Sequence, residues 1–163
     1  MPIDTDVLVI GCGIAGATAA LQLAQDRQRQ VLVITRNYEP EETNTRYAQG
    51  GIVAKSDDDS ADLLVEDILR AGAGLSLPSA ARALARRGPE LVQEILIDRL
   101  GVPFEREEDG SLAYTREGGH SVSRILHVGD ATGHAIEVAL IKALQQQPNV
   151  QLKPGFTAVD LIT

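Results

Sequence analysis

A single cysteine, Cys12, stands among the 163 residues, so no disulfide can close within the chain. That usage fits a reducing, cytoplasmic compartment. Tryptophan is missing and aromatic residues make up only 3% of the chain, so the core must be aliphatic. Positive charge is also scarce: 15 Lys plus Arg stand against 23 Asp plus Glu, a net charge of −8. With no basic patch to neutralise phosphates, a nucleic-acid partner is not expected. No apolar run approaches the ~20 residues of a membrane span. The first residues lack the basic-then-apolar order of a secretory signal. His120, His127 and His134 recur every seven residues, whereas helical metal ligands sit three or four apart, and glycines 118, 119 and 129 interrupt any helix that would align them. No metal site is expected. Asp57-Asp-Asp59 lacks the glycine and glutamate of a calcium loop and reads as a solvated loop tip ahead of the next helix.

What is present is an α/β pattern of about one domain's length. Asp6-Val-Leu-Val-Ile10 reads as a short, fully buried strand, and Gly11-Cys-Gly-Ile-Ala-Gly16 follows at once. Ala17, Ala20, Leu21 and Ala24 then recur at helical spacing to about Asp26, and Val31–Ile34 is a second strand. In this strand–loop–helix–strand setting the glycines have mechanical roles. Gly11 permits the tight turn, Gly13 lets a pyrophosphate approach the backbone, and Gly16 lets the helix pack on the strand. The helix start at Ile14 and Ala15 offers free N–H groups and positive dipole to phosphates. The acid that usually binds a ribose after the second strand is absent, and Thr35 and Arg36 stand there. Thr35 offers a weaker ribose contact. Arg36 either meets a phosphate or ends the strand in solvent.

Residues 37–60 are irregular and polar, a long loop of the kind that is commonly functional. Within it, Gly50 and Gly51 allow backbone to approach a flat ring. Leu63, Leu64, Ile68 and Leu69 mark an amphipathic helix ending near Gly72. Pro78–Arg87 and Pro89–Leu100 read as two further helices, each with Pro in its first turn and a glycine just past its end. Gly133–Gln146 is the last helix, with Asp130 or Thr132 available as its cap. Asp130 either caps that helix or replaces in part the missing ribose acid. Val150–Leu152 and Phe156–Thr163 read as strands. The second alternates to its last residue with no closing turn, so the chain is expected to be the amino-terminal piece of a longer protein.

The segment Thr115-Arg-Glu-Gly-Gly-His-Ser121 concentrates the remaining chemistry. The glycines strip side-chain bulk next to Glu117. Its carboxylate suits an ammonium group, while His120 and Ser121 suit a substrate carboxylate; charge-assisted bonds of this kind contribute ~1.5–3 kcal/mol each. The alternative is an exposed hairpin with an ordinary surface glutamate.

Four motifs in order carry a resemblance: Gly11-Cys-Gly-Ile-Ala-Gly16, Thr45-Arg-Tyr-Ala-Gln-Gly-Gly-Ile52, Thr115–Ser121 and Asp130-Ala-Thr-Gly-His134. Together they resemble the flavoproteins related to succinate dehydrogenase and fumarate reductase, most closely the L-aspartate oxidases. The likeness covers the whole chain but only about the first third of such an enzyme. It implies a Rossmann-like FAD-binding domain with inserted helices, truncated at its C-terminal end, with residues 1–163 its N-terminal part and the capping and helical domains absent. The pyrophosphate would lie on Gly11–Gly16, and Asn44, Thr45, Ala48, Gln49, Gly50 and Gly51 would run beside the isoalloxazine. Asn44 occupies the place of the histidine that bonds the flavin in covalent relatives, which implies non-covalent FAD. Where succinate and fumarate enzymes carry an aromatic residue, Glu117 implies a substrate amine, since a buried ammonium needs a partner.

The implied reaction is oxidation of L-aspartate to iminoaspartate, reoxidised by oxygen or fumarate, with quinolinate synthase consuming the imine on the way to NAD. The catalytic groups are expected downstream of Thr163, so this piece alone is expected to be inactive. The rival readings are a succinate- or fumarate-type flavoprotein and a non-catalytic dinucleotide-binding module.

Overall fold

The structure is a computed structural model that describes residues 2–162. In chain order its elements are β1 (Val7–Ile10), α1 (Ile14–Leu23), β2 (Val31–Thr35), β3 (Ile52–Val53), α2 (Ala61–Ala71) and α3 (Pro78–Leu91). A π-helical stretch, Val92–Arg99, continues α3, and β4 (Ile125–Leu126), α4 (Thr132–Gln145) and β5 (Val150–Pro154) follow. They divide into two units, Met1–Ala48 with Gly133–Thr163, and Gln49–Thr132.

The first unit is built on a parallel sheet in the order β1-β2-β5. All five residues of β2 are buried, as a near-continuous apolar run requires when both faces and both edges are covered. β1 departs from the expectation of full burial: Leu8 and Ile10 are 43% and 55% exposed. The reason is positional, because among the described residues β1 pairs only with β2 and one of its faces stays open. α1 packs through Ala17, Ala20 and Leu21, small enough for helix and sheet to approach closely. Asn149 is buried just ahead of β5, and its amide donates toward the carbonyls of Ala24, Asp26 and Arg29, so the turn before β2 is held by one side chain. The expected strand over 156–163 does not form: residues 157–162 have no regular structure, and Val159 and Ile162 are almost fully exposed. After Phe156 donates its N–H to Thr35, no ladder partner holds this alternating segment among the described residues. Thr163 lies outside them.

The second unit pairs β3 with β4 antiparallel, Ile52 opposite Leu126 and Val53 opposite Ile125. α2 begins at Ser60, whose hydroxyl accepts the Leu63 N–H at 3.2 Å, with Asp62 in its first turn. The two helices expected to meet at Gly88-Pro89 are one. Gly88 keeps a right-handed backbone, and Pro89 lies inside α3, on its buried side. Proline there removes one backbone donor; the chain nevertheless continues and widens, with the Leu100 N–H reaching Ile95 at 2.9 Å, five residues back. Leu64, Ala81, Ala85, Val92, Ile95, Leu96, Ile125 and Leu126, with one aromatic residue, Phe104, form this unit's core.

Candidate functional site

In the first unit, the turn out of β1 sets up an anion-binding helix start. Gly11 sits at φ +96°, a conformation that side chains rarely adopt, and donates its N–H to Ile34 at 2.8 Å. A Cβ on Gly16 would run into the Gly11 carbonyl, so only glycine lets α1 start this close to the turn. Gly13 precedes α1 in extended conformation, and no side chain caps the helix there. Thr45 crosses over this start: its hydroxyl accepts the Ile14 N–H at 3.0 Å. The first-turn N–H groups of a helix have no partners within it and carry its positive dipole.

Gly11, Gly13 and Thr45, at the turn just ahead of this helix start, line a cavity of about 600 Å³. Of the residues expected at a cofactor, Gly11, Gly13, Thr35, Arg36, Asn44 and Thr45 all line it. Ile14 contributes through Thr45, and Ala15 and Gly16 belong to the first turn behind it. Ala48 is engaged elsewhere, its carbonyl accepting the Gly133 N–H at 2.9 Å and so holding the start of α4. Gln49, Gly50, Gly51 and Asp130 belong to the second unit, where Asp130 is exposed. The Thr132 hydroxyl accepts the Val128 N–H at 3.0 Å. Sequence reasoning missed Cys12, Thr43 and Tyr47 as lining residues. Cys12 is buried and donates its thiol to the Pro40 carbonyl at 3.0 Å, and burial pushes the thiol above its ordinary range. It is held as a small packing residue, not as a nucleophile.

In the second unit, residues 116–124 form a loop pinched off by Thr115 and Ile125, which exchange backbone bonds at 2.9 and 3.1 Å. Glu117 is half-exposed on it. Its Oε1 receives His127 Nε2 at 3.2 Å and lies 3.5 Å from the Gly51 N–H. A Cβ on Gly51 would strike the Ile125 side chain and the Leu126 carbonyl, so glycine is needed for that approach. Ser121 turns the other way, donating both its N–H and its hydroxyl to Asp67 Oδ2 at 2.8 and 2.9 Å. His120 faces a separate, mainly apolar cavity of about 360 Å³ with Leu64, Ile68 and Leu84, and its Nδ1 is buried without a partner. Glu117, His120 and Ser121 therefore do not converge on one point.

What holds the loop is an ion cluster the sequence did not announce. Arg124 is fully buried and donates through Nη1 to Asp67 at 2.9 Å and through Nη2 to Asp59 at 2.8 Å. Arg70 also pairs with Asp67. Burial works to raise the Asp67 carboxyl, but the Ser121 donors and the Arg124 and Arg70 charges outweigh it, and the carboxyl is held below its ordinary range. The expectation that Asp59 lies on a solvated tip is corrected: its side chain is only 3% exposed, because Arg124 claims it.

The comparisons with known proteins agree with the first unit's geometry. A family model described as FAD binding domain matches residues 6–163. The chain belongs to that FAD-binding domain family. This FAD-binding domain is 45% identical to the L-aspartate oxidase of Halobacterium salinarum over 98% of its own length and 30% of the relative's. It is 42% identical to a chloroplastic L-aspartate oxidase of Arabidopsis thaliana, over 97% of the chain and 24% of the relative. Among solved structures it is similar to E. coli quinol fumarate reductase, with a TM-score of 0.85 and 27% identity over 92% of this chain and 26% of that one. The chain thus spans about a third or less of the curated relatives quoted. FAD is the cofactor of this family, and the cavity fits its diphosphate: a side-chain-free turn at Gly11, a helix start whose N-cap, Gly13, carries no side chain, threonine hydroxyls and Arg36.

Proposed function

We propose that this FAD-binding domain is the amino-terminal part of an L-aspartate oxidase, which oxidises the amino acid's Cα–N bond to the imine. The observation that carries the reading is Glu117. Its Oε1 is engaged by His127, while the side chain stays 45% exposed and presents a carboxylate suited to a substrate ammonium. The curated relatives quoted, at 42–45% identity, are named L-aspartate oxidases, which supports the same reading.

FAD, when bound, supplies the two-electron acceptor for the hydride that leaves the substrate Cα. The first unit's part is to hold it: Gly11, Gly13 and the α1 start for the diphosphate, Thr35 and Arg36 for the nucleoside side, and Asn44 and Thr45 along the loop. Ala48, Gln49, Gly50, Gly51 and Asp130 complete the proposed cofactor set. Asparagine cannot form a flavin–histidine bond, so attachment is non-covalent. The second unit's part is recognition. Glu117 pairs with the amine; Ser121, whose N–H and hydroxyl both go to Asp67, and His120, which faces a separate cavity, do not join it there, so the substrate carboxylate is left to other groups. The chain spans a third or less of these relatives, and on this reading residues 1–163 alone are inactive. Oxygen or fumarate accepts the electrons, and quinolinate synthase takes the imine. No helix among the described residues is long and apolar enough to cross a membrane, and a cytoplasmic setting suits the lone buried cysteine.

The test is Glu117→Phe in the full-length protein, with bound FAD checked by its absorbance. Loss of one charge-assisted contact, about 1.5–3 kcal/mol, raises the KM for L-aspartate roughly 10- to 150-fold. Binding of succinate, which has no amine, changes little. Equal losses for both ligands would favour a succinate- or fumarate-type flavoprotein. Undisturbed aspartate kinetics would remove Glu117 from the site.

A further inference from the structure

Beyond its opening Thr132, the inside face of α4 is apolar except at one position. Ile136, Leu140, Ile141 and Leu144 are buried, and Glu137 is buried with them at 0% exposure. A carboxyl there is costly unless it is partnered, and an apolar side chain would pack at lower cost. Both Glu137 oxygens lack a hydrogen-bond partner, and so does the buried hydroxyl of Thr43. Buried polar atoms of this kind call for an explanation.

The surroundings point to one. The groups acting on Glu137 are the Thr43 and Thr45 hydroxyls and the charge of Glu41, and Cys12 feels the Glu137 charge in turn. Arg46 is spent on Glu41 and Glu42, at 3.9 Å from each. Cys12, Thr43 and Thr45 all line the 600 Å³ cavity, and Thr45 holds the Ile14 N–H at the helix start. The opening turn of α4 is itself seated on this loop, since a Cβ on Gly133 would strike the Thr45 carbonyl. Glu137 therefore stands directly behind the wall that receives the FAD diphosphate, among hydroxyls that can accept a hydrogen bond from its neutral form and beside a second carboxylate.

We propose that Glu137 is a positioning residue of the cofactor site: as a neutral acid it bridges the Thr43 and Thr45 hydroxyls and fixes the loop over the α1 start, and as a carboxylate it repels the diphosphate, so that FAD affinity falls when it ionises. Burial pushes this carboxyl up to about 7, against the pull of the threonine hydroxyls and with help from Glu41, which puts the change within the working range. Bound diphosphate favours the neutral acid further, and each unit by which it does so makes FAD binding about tenfold tighter below the transition than above it. The inference rests on the FAD-binding family alone and holds whatever the substrate.

The experiment is FAD affinity of the full-length protein by flavin fluorescence from pH 6 to 9, for the wild type and Glu137→Gln. The expected result is a wild-type dissociation constant that rises about tenfold across neutrality, and a variant that keeps the tight, acid-side value throughout. The same pH profile in both proteins, or a flat wild-type profile, overturns the proposal. Should Glu137→Gln fail to fold, infrared titration of the wild type decides: the protonated-carboxyl band must disappear near neutrality without FAD and persist to higher pH with it. A band whose titration ignores FAD refutes the coupling.

Discussion

Replacing Arg124 with methionine is the sharpest perturbation of the second unit. The side chain is fully buried, and its two ends hold Asp67 at 2.9 Å and Asp59 at 2.8 Å, both with side chains about 3% exposed. Methionine fills most of the volume, so packing changes little, but two carboxylates lose a shared cation inside the protein. Breaking a buried pair in this way costs about 3–5 kcal/mol, because the stranded charge cannot be rehydrated in place. Asp67 keeps Arg70 and the two Ser121 donors, so the damage falls mainly on Asp59 and on the 116–124 loop. The assay is amide hydrogen exchange by mass spectrometry on the full-length protein, read on peptides covering α2 and residues 115–126. A loss of 3 kcal/mol speeds exchange by opening about 150-fold. Asp67→Asn alone should cost less, since Arg124 retains Asp59, and the double variant should cost less than the sum of the two singles. Acid sensitivity follows with a definite sign. Asp67 is held below its unfolded value, so its contribution is complete above about pH 4 and is lost as pH falls through the lower folded value. Arg124→Met moves that acid limb to higher pH. Exchange accelerated less than about tenfold, or strictly additive singles, would refute the claim that this ion cluster holds the loop.

Two glycine substitutions test the two units separately. Gly16→Ala drives a Cβ into the Gly11 carbonyl, and overpacking of this kind costs about 1–3 kcal/mol; the flavin-to-protein absorbance ratio after gel filtration should fall, and an unchanged ratio would show that the close helix start is not needed to retain FAD. Gly51→Ala meets the Ile125 side chain and the Leu126 carbonyl, so exchange at residues 125–127 should rise, whereas Gly50→Ala, whose nearest neighbour is Glu117 Oε2 at 4.0 Å, should leave it unchanged.

The parts of this protein that were legible in its sequence are those whose causes are local. The turn, the helix start and the second strand are specified by residues within about twenty-five positions of each other, through glycine spacing and an unbroken apolar run. The helix at Pro78 and the last helix were equally readable from their flanking residues. Pro89 was misread because the local rule against proline inside a helix was overridden, its ring lying on the buried side of α3 and the chain widening beyond it. The strand expected over 156–163 failed because alternation alone does not supply a ladder partner.

The site divides along the same line. Gly11, Gly13 and Gly16 could be assigned because backbone geometry at a turn leaves few alternatives. Arg124, Asp59 and Asp67 could not, since the bonds join residues 65 and 57 positions apart and nothing near any of them marks it as buried. His127 was weighed only as a metal ligand; the pairing of strands β3 and β4 sets it one residue past β4, within reach of Glu117. Glu137 reads on paper as one more polar residue of an amphipathic helix. Only the packing of α4 onto the loop carrying Thr43 and Thr45 removes it from water, and the loss of solvation turns an ordinary carboxylate into a group that holds its proton to neutrality.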